Sequence, residues 1–114
     1  MGATGWESTL LRLSMNEPSS VHSVLGEHAS SALDARTREL VRLGALVAID
    51  AAPASYECAV DAARCAGATP EDLVGVLVAV GPTVGLARLV AAAPQLARSI
   101  GYDVDAALEE VAAE

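Results

Sequence analysis

Between residues 34 and 101 each apolar run in this chain is bounded by a helix-capping residue, a proline or a glycine, and inside each run the apolar side chains recur at helical spacing. Leu40, Leu43 and Val47 lie one turn apart, with Leu46 and Ile49 widening the stripe. That spacing predicts an amphipathic helix over 35–51 behind Asp34, an N-cap residue whose carboxylate accepts from exposed amides. Pro53 stops or bends it. Ser55 offers a cap for a helix over 56–66, which Gly67 ends. Thr69-Pro70-Glu71-Asp72 is a further helix start, combining a capping hydroxyl, a proline whose missing N–H costs nothing there, and acids that meet the helix dipole. The run to Val80 is apolar almost all round and is expected to be buried, with Gly81-Pro82 breaking it. Residues 84–93 are helical, Pro94 kinks or restarts the helix, Gly101 ends it, and Asp103 caps a short acidic helix to about residue 112. Upstream, 6–14 reads as a short helix or an arm, and Asn16-Glu17-Pro18 opens a helix with Val21, Val24 and Leu25 on one face. Alternating strand patterns and internal repeats are absent from the sequence. The expected fold is all-α: one domain over 1–114, a compact, oligomeric bundle of about six helices.

Hydrophobic residues make up 53% of the chain, mostly alanine, leucine and valine, with no phenylalanine and 3% aromatics. Such a core has thin side chains and close helix–helix approach, not a wide ring-lined cavity. The net charge is −8 and all seven basic residues are arginine. A surface this acidic repels phosphate backbones and anionic lipid, which argues against nucleic-acid and membrane partners. Apolar runs such as Leu73 to Val80 are too short to span a bilayer, and longer ones are interrupted by Arg42, Arg88 or Pro94. The N-terminus lacks a basic-then-apolar signal pattern, so a cytoplasmic location is expected. So apolar a short chain is expected to keep apolar surface for a partner, self-association being the default.

The candidate chemistry is sparse. Cys58 and Cys65 are seven apart on one expected helix, so their sulfurs share a face about 10 Å apart, too far for a bridge within an intact helix. They read either as two small buried hydrophobes or as one reactive thiol, Cys58, nearer the helix start. His22 and His28 fall on different sides of a helix with no second ligand at metal spacing, and no metal site or cofactor is expected. Glu39 and Asp50 are three turns apart on one face. Either they pair with Arg36, Arg38 or Arg42, or a partly buried Glu39 acts as an acid or base. Tyr56, Glu57 and Tyr102 are polar groups at element boundaries able to face a cleft. Gly81-Pro82-Thr83-Val84-Gly85 has neither the lysine nor the strand of a phosphate loop and reads as a turn.

Two stretches carry a family resemblance: Leu33-Asp34-Ala35-Arg36-Thr37-Arg38-Glu39-Leu40-Val41, and Ala62-Ala63-Arg64-Cys65-Ala66-Gly67-Ala68-Thr69-Pro70-Glu71-Asp72-Leu73. From Leu33 to about Leu96 the chain resembles the carboxymuconolactone decarboxylase family, which also contains the alkylhydroperoxidase D-like proteins. The resemblance divides the chain into an N-terminal arm with short helices (1–32), a family-like core (33–100) and a C-terminal helix (101–114). It implies a homo-trimer or hexamer with sites in clefts between helices and subunits. The peroxidase branch carries Cys-x-x-Cys, then His four residues later, where the second core helix begins. Counting back from Gly67 puts those positions at Ala52, Ser55 and Ala59; counting forward from Glu39 puts them at Ala51, Ala54 and Cys58. In either register there is no dithiol, hence no disulfide cycle, and no histidine. Glu39 matches a residue that relays protons in that branch.

Three functional readings follow. The first is a divergent lyase acting on a small acidic or lactone metabolite without metal or dithiol. In it Glu39 is the proton donor or base, and Arg36, Tyr56 and Glu57 are candidates for binding the substrate. The second is a non-catalytic oligomeric binding or accessory protein on the same scaffold. The third is a one-cysteine peroxidase using Cys58.

Overall fold

The computed structural model describes residues 5–26 and 32–114, and all regular structure among them is helical. Seven helices are formed where about six were expected: α1 (Gly5–Ser14), α2 (Pro18–Leu25), α3 (Ala35–Ala48), α4 (Pro53–Cys65), α5 (Pro70–Val84), α6 (Leu86–Ile100) and α7 (Val104–Ala113). They divide between two units, one running to Ala32 and the other from Leu33 to Glu114.

In the first unit α1 and α2 pack on each other, and the Arg12 guanidinium donates to the Ser23 hydroxyl. Neither helix buries a residue fully, and Trp6 is 73% exposed.

In the second unit α3 packs against α4 and α5, and α6 closes the bundle against the same two helices. The core draws Leu43 and Val47 from α3, Tyr56, Val60 and Ala63 from α4, Leu73 and Leu77 from α5, and Ala92 and Leu96 from α6. These positions follow the 3.6-residue period within each helix, as a single buried stripe requires. Helix α7 buries none of its residues.

Local chemistry sets most of the helix ends. Asp34 accepts from the Thr37 amide at 2.7 Å and Asp103 from the Ala106 amide at 3.0 Å. Thr69 and Asp72 form a reciprocal capping box, each side chain accepting from the other's backbone amide, at 3.1 and 2.9 Å. Beyond α3, Asp50 takes a left-handed φ of 53°, and the Ala51 amide turns back to the Leu46 carbonyl at 3.1 Å. Gly67, at φ 97°, does the same beyond α4, returning the Ala68 amide to the Ala63 carbonyl at 2.9 Å. Both are Schellman closures.

Four local expectations are corrected. Helix α4 starts at Pro53 with Ala52 at its N-cap, so Ser55 lies inside the first turn and caps nothing. Proline fixes φ at a helical value and forms N1 without a side-chain cap. Helix α5 runs through Pro82 to Val84 and breaks at Gly85, whose φ of 92° strains any other residue. Helix α6 runs unbroken through Pro94. Both prolines are exposed, as are Val78 and Val90, so the carbonyls they leave without partners face water. Finally, α5 is buried on one side only: Val74 and Val78 are exposed, Val78 at 72%.

Gly44 on α3 marks the closest approach to α5. A Cβ there meets Val80 Cγ1 at 3.1 Å and Val76 Cγ1 at 3.6 Å. Gly44→Val is expected to destabilise the second unit by about 1–3 kcal/mol through overpacking. Leu73→Ala, which opens a cavity at a fully buried site, is expected to cost about 2–5 kcal/mol. Urea unfolding followed by helical circular dichroism measures both.

Candidate functional site

The first half of α3 gathers the ionisable groups. Glu39 follows the capped first turn, beside Leu40, which packs against the core, and its side chain is only 14% exposed. Arg42, one turn on, donates from Nη1 to Glu39 Oε1 at 2.9 Å, and Arg38 Nε lies 3.9 Å from the same oxygen. Two guanidiniums thus bracket one carboxylate. The Arg42 side chain is 54% exposed.

Arg36 engages a different partner. Its Nε donates to Asp72 Oδ2 at 3.1 Å, and Nη2 sits 2.6 Å from Oδ1. This two-point pairing, the geometry that a planar guanidinium favours, ties the start of α3 to the capping box of α5. The Arg36 hydrogen bond, aided by the Thr69 amide, lowers the Asp72 carboxyl from 3.8 to about 2. Asp34 is lowered too, first by the Thr37 amide that it caps.

Tyr56 is a core residue. It is 1% exposed, and its hydroxyl donates to the Leu46 carbonyl at 3.4 Å, the same oxygen that closes α3. Burial, then the charge of Asp50, pushes its hydroxyl pKa upward. Leu46 lies seven residues beyond Glu39, roughly 10 Å along the helix. The Tyr56 hydroxyl and the Glu39 carboxylate therefore occupy opposite halves of α3.

Glu57 and Cys58 are exposed on α4. The reading of Cys58 and Cys65 as buried hydrophobes is overturned, since both are exposed. They sit on the side of α4 opposite Tyr56, Val60 and Ala63. Asp50 does not share a helix face with Glu39, because α3 ends at Ala48 and Asp50 has left-handed backbone. Tyr102 lines a hollow of about 290 Å³ at the α6–α7 junction, with Pro94, Arg98, Asp103 and Asp105 also on its wall. His22 is exposed, and His28 lies outside the described residues. Among the described residues, no three His, Cys, Asp or Glu side chains are grouped to hold a metal ion, and no helix is long and apolar enough to cross a membrane.

The Arg36–Asp72 pairing was not legible in the sequence. Asp72 was readable as an acid in a helix first turn, but nothing local joins it to an arginine thirty-six positions earlier. The pairing of Arg42 with Glu39 was legible as i, i+3 chemistry, whereas the approach of the adjacent Arg38 was not.

Four packed helices, with a carboxylate paired to arginine on the first and a proline start on the second, define an all-helical bundle domain. The model of the carboxymuconolactone decarboxylase family matches residues 23–98, two thirds of the chain, and the chain belongs to that family. No curated protein and no solved structure matches it. The matched span holds all of α3, α4 and α5 and most of α6, and it ends before α7. Of the positions aligned with the peroxidase branch, Ala52 is the N-cap of α4, Ser55 lies in its first turn, and Ala59 packs against the core; in the other register Ala51 packs against the core, and Ala54 and Cys58 are exposed.

Asp72 has a lower pKa folded than unfolded, so it contributes stability that is complete above about 4 and is lost as pH falls toward about 2. The melting temperature of the wild type is expected to fall across that window. Asp72→Asn should flatten the fall, leaving the share owed to Asp34. A pH series of thermal melts on both proteins checks this.

Proposed function

We propose that this chain is a divergent lyase of the carboxymuconolactone decarboxylase family, acting on a small acidic or lactone metabolite. The observation that carries the reading is Glu39, whose side chain is mostly covered and whose carboxylate pairs with Arg42, with Arg38 nearby, on a helix inside the family match. Loss of CO₂ from a vinylogous β-keto acid makes modest demands on side chains. Arg42 meets the substrate carboxylate with its outward donors and orients the scissile bond. When CO₂ departs, the bonding electrons pass into the conjugated carbonyl as an enolate, and Glu39 takes up a proton from water and passes it to carbon, returning to the carboxylate that the two arginines hold. Arg36 stands behind the site as a positioning residue, since Asp72 already engages it at two points.

A second reading, a non-catalytic binding or accessory module, draws support from the alanine-rich start of α4, where the peroxidase branch carries its thiols and histidine. Tyr56 also favours it, being spent on the core instead of a cleft. A thermal-shift screen with small carboxylic acids, lactones and quinones separates the two, run on wild type and Glu39→Gln together. A compound that stabilises the wild type and not the variant supports a working pocket at Glu39. CO₂ release from that compound should then fall about 100-fold or more in Glu39→Gln. Wild-type turnover by a folded Glu39→Gln, or no shift with any compound, moves the assignment to the accessory module.

Self-association belongs to the same proposal. Val74 and Val78 on α5, with Leu86 and Val90 on α6, leave apolar side chains 45–75% exposed, and a second and third copy of the chain would cover them in a trimer or hexamer. Val78→Asp, at an exposed position, is expected to leave the helix content intact and lower the mass measured by light scattering to that of the single chain. An unchanged oligomer places the contact elsewhere.

A further inference from the structure

The outward face of α4 carries both cysteines of the chain. Ala54, Cys58, Asp61 and Cys65 fall on one line down this helix, diametrically opposite the core residues Tyr56, Val60 and Ala63, and all four are exposed. Within one chain the thiols stay apart, since seven residues of helix separate their Cα atoms by roughly 10 Å along the axis and a disulfide needs less than about 7 Å. Their spacing suits a different geometry. When a second α4 lies antiparallel across a two-fold axis midway between the cysteines, Cys58 of each copy faces Cys65 of the other. Helices in contact run about 8–10 Å apart, which leaves facing Cα atoms about 3.5–5.5 Å from each other, so the wider separations reach the disulfide range.

We propose that the α4 face is a redox-sensitive contact between two copies of this chain, closed by reciprocal Cys58–Cys65 disulfides. The neighbouring side chains fit the arrangement. In this register the two Asp61 residues come nearly level on one flank at the centre of the seam, with the small Ala62 of each copy on the other flank. Like flanks meet across a two-fold axis, and Arg64 then falls at the level of residue 59 of the second copy, between its Glu57 and Asp61. Glu57, Asp61 and Arg64 are all exposed, so each copy presents two acids to the arginine of the other.

The chemistry requires a two-electron oxidant of the hydrogen peroxide class. The thiolate of one cysteine attacks the peroxide and its O–O bond breaks, giving a sulfenic acid and water once protons are counted. The thiol of the other copy then displaces a second water as the S–S bond forms. Thiol reductants reverse the link by exchange.

The test treats the full chain with hydrogen peroxide and follows it on non-reducing gels, with tryptic mapping of the cross-linked peptides. Trypsin cuts after Arg64, which puts the two cysteines in separate peptides. The expected product is a covalent dimer, released by dithiothreitol, in which Cys58–Cys65 peptides predominate. Mixed isotope-labelled and unlabelled protein should yield hybrid peptides, proving that the bond joins two chains. Cys58→Ser and Cys65→Ser, conservative changes at exposed helix positions, should each lower dimer yield at least about tenfold. Mixing the two variants should restore it, since each supplies the thiol that the other lacks. Three results overturn the proposal: like pairs as abundant as unlike ones, as random collision gives; Cys58–Cys65 peptides confined to single chains; or no dimer while both thiols still react with iodoacetamide.

Discussion

The architecture of residues 33–114 depends on how closely α3 can approach α5. With no phenylalanine and few large side chains, the core cannot fill a wide gap, so the helices must come together until Leu43, Val47, Leu73 and Leu77 interdigitate. Gly44 permits that approach, because any side chain there presses on Val80. The Arg36–Asp72 pairing fastens the same two helices near their starts. It is partly exposed and adds little by itself. What it decides is register, since a two-point guanidinium–carboxylate contact tolerates little sliding.

That register has a consequence for the site. It presents the first half of α3 with Leu40 against the core and Glu39 at its edge, under the two arginines. The Glu39 side chain is mostly covered, and its charge is met by Arg42 at 2.9 Å. The bundle thereby places one carboxylate beside one half-exposed guanidinium, the pair on which the proposed decarboxylation rests. The positions where the peroxidase branch has its dithiol hold alanine and serine in one register and alanine alone in the other.

The exposed apolar side chains of α5 and α6 and the polar, thiol-bearing outer face of α4 contrast in kind. The first is what water expels, suited to permanent burial by further copies. The second is small, charged and reversible in its chemistry. A protein that meets its own copies through both would have one contact set by hydrophobic area and another set by oxidation state.

The sequence by itself determined the helices and most of their ends, because caps, left-handed glycines and N1 prolines act through bonds spanning three to five residues. It also carried the family resemblance, the identity of Glu39 as the candidate carboxylate, and the i, i+3 arginine beside it. What only the tertiary structure decided are matters of distant neighbours. Pro82 and Pro94 stay inside helices because their faces point to water. Tyr56 enters the core because it faces Leu46 across a tight corner, and Arg36 is engaged because the start of α5 comes to rest beside it. The cysteines are exposed because packing on α3 and α6 turned the other side of α4 inward. Each of these outcomes sums contacts between residues far apart in the chain, and no local pattern encodes which face of a helix the rest of the protein will cover.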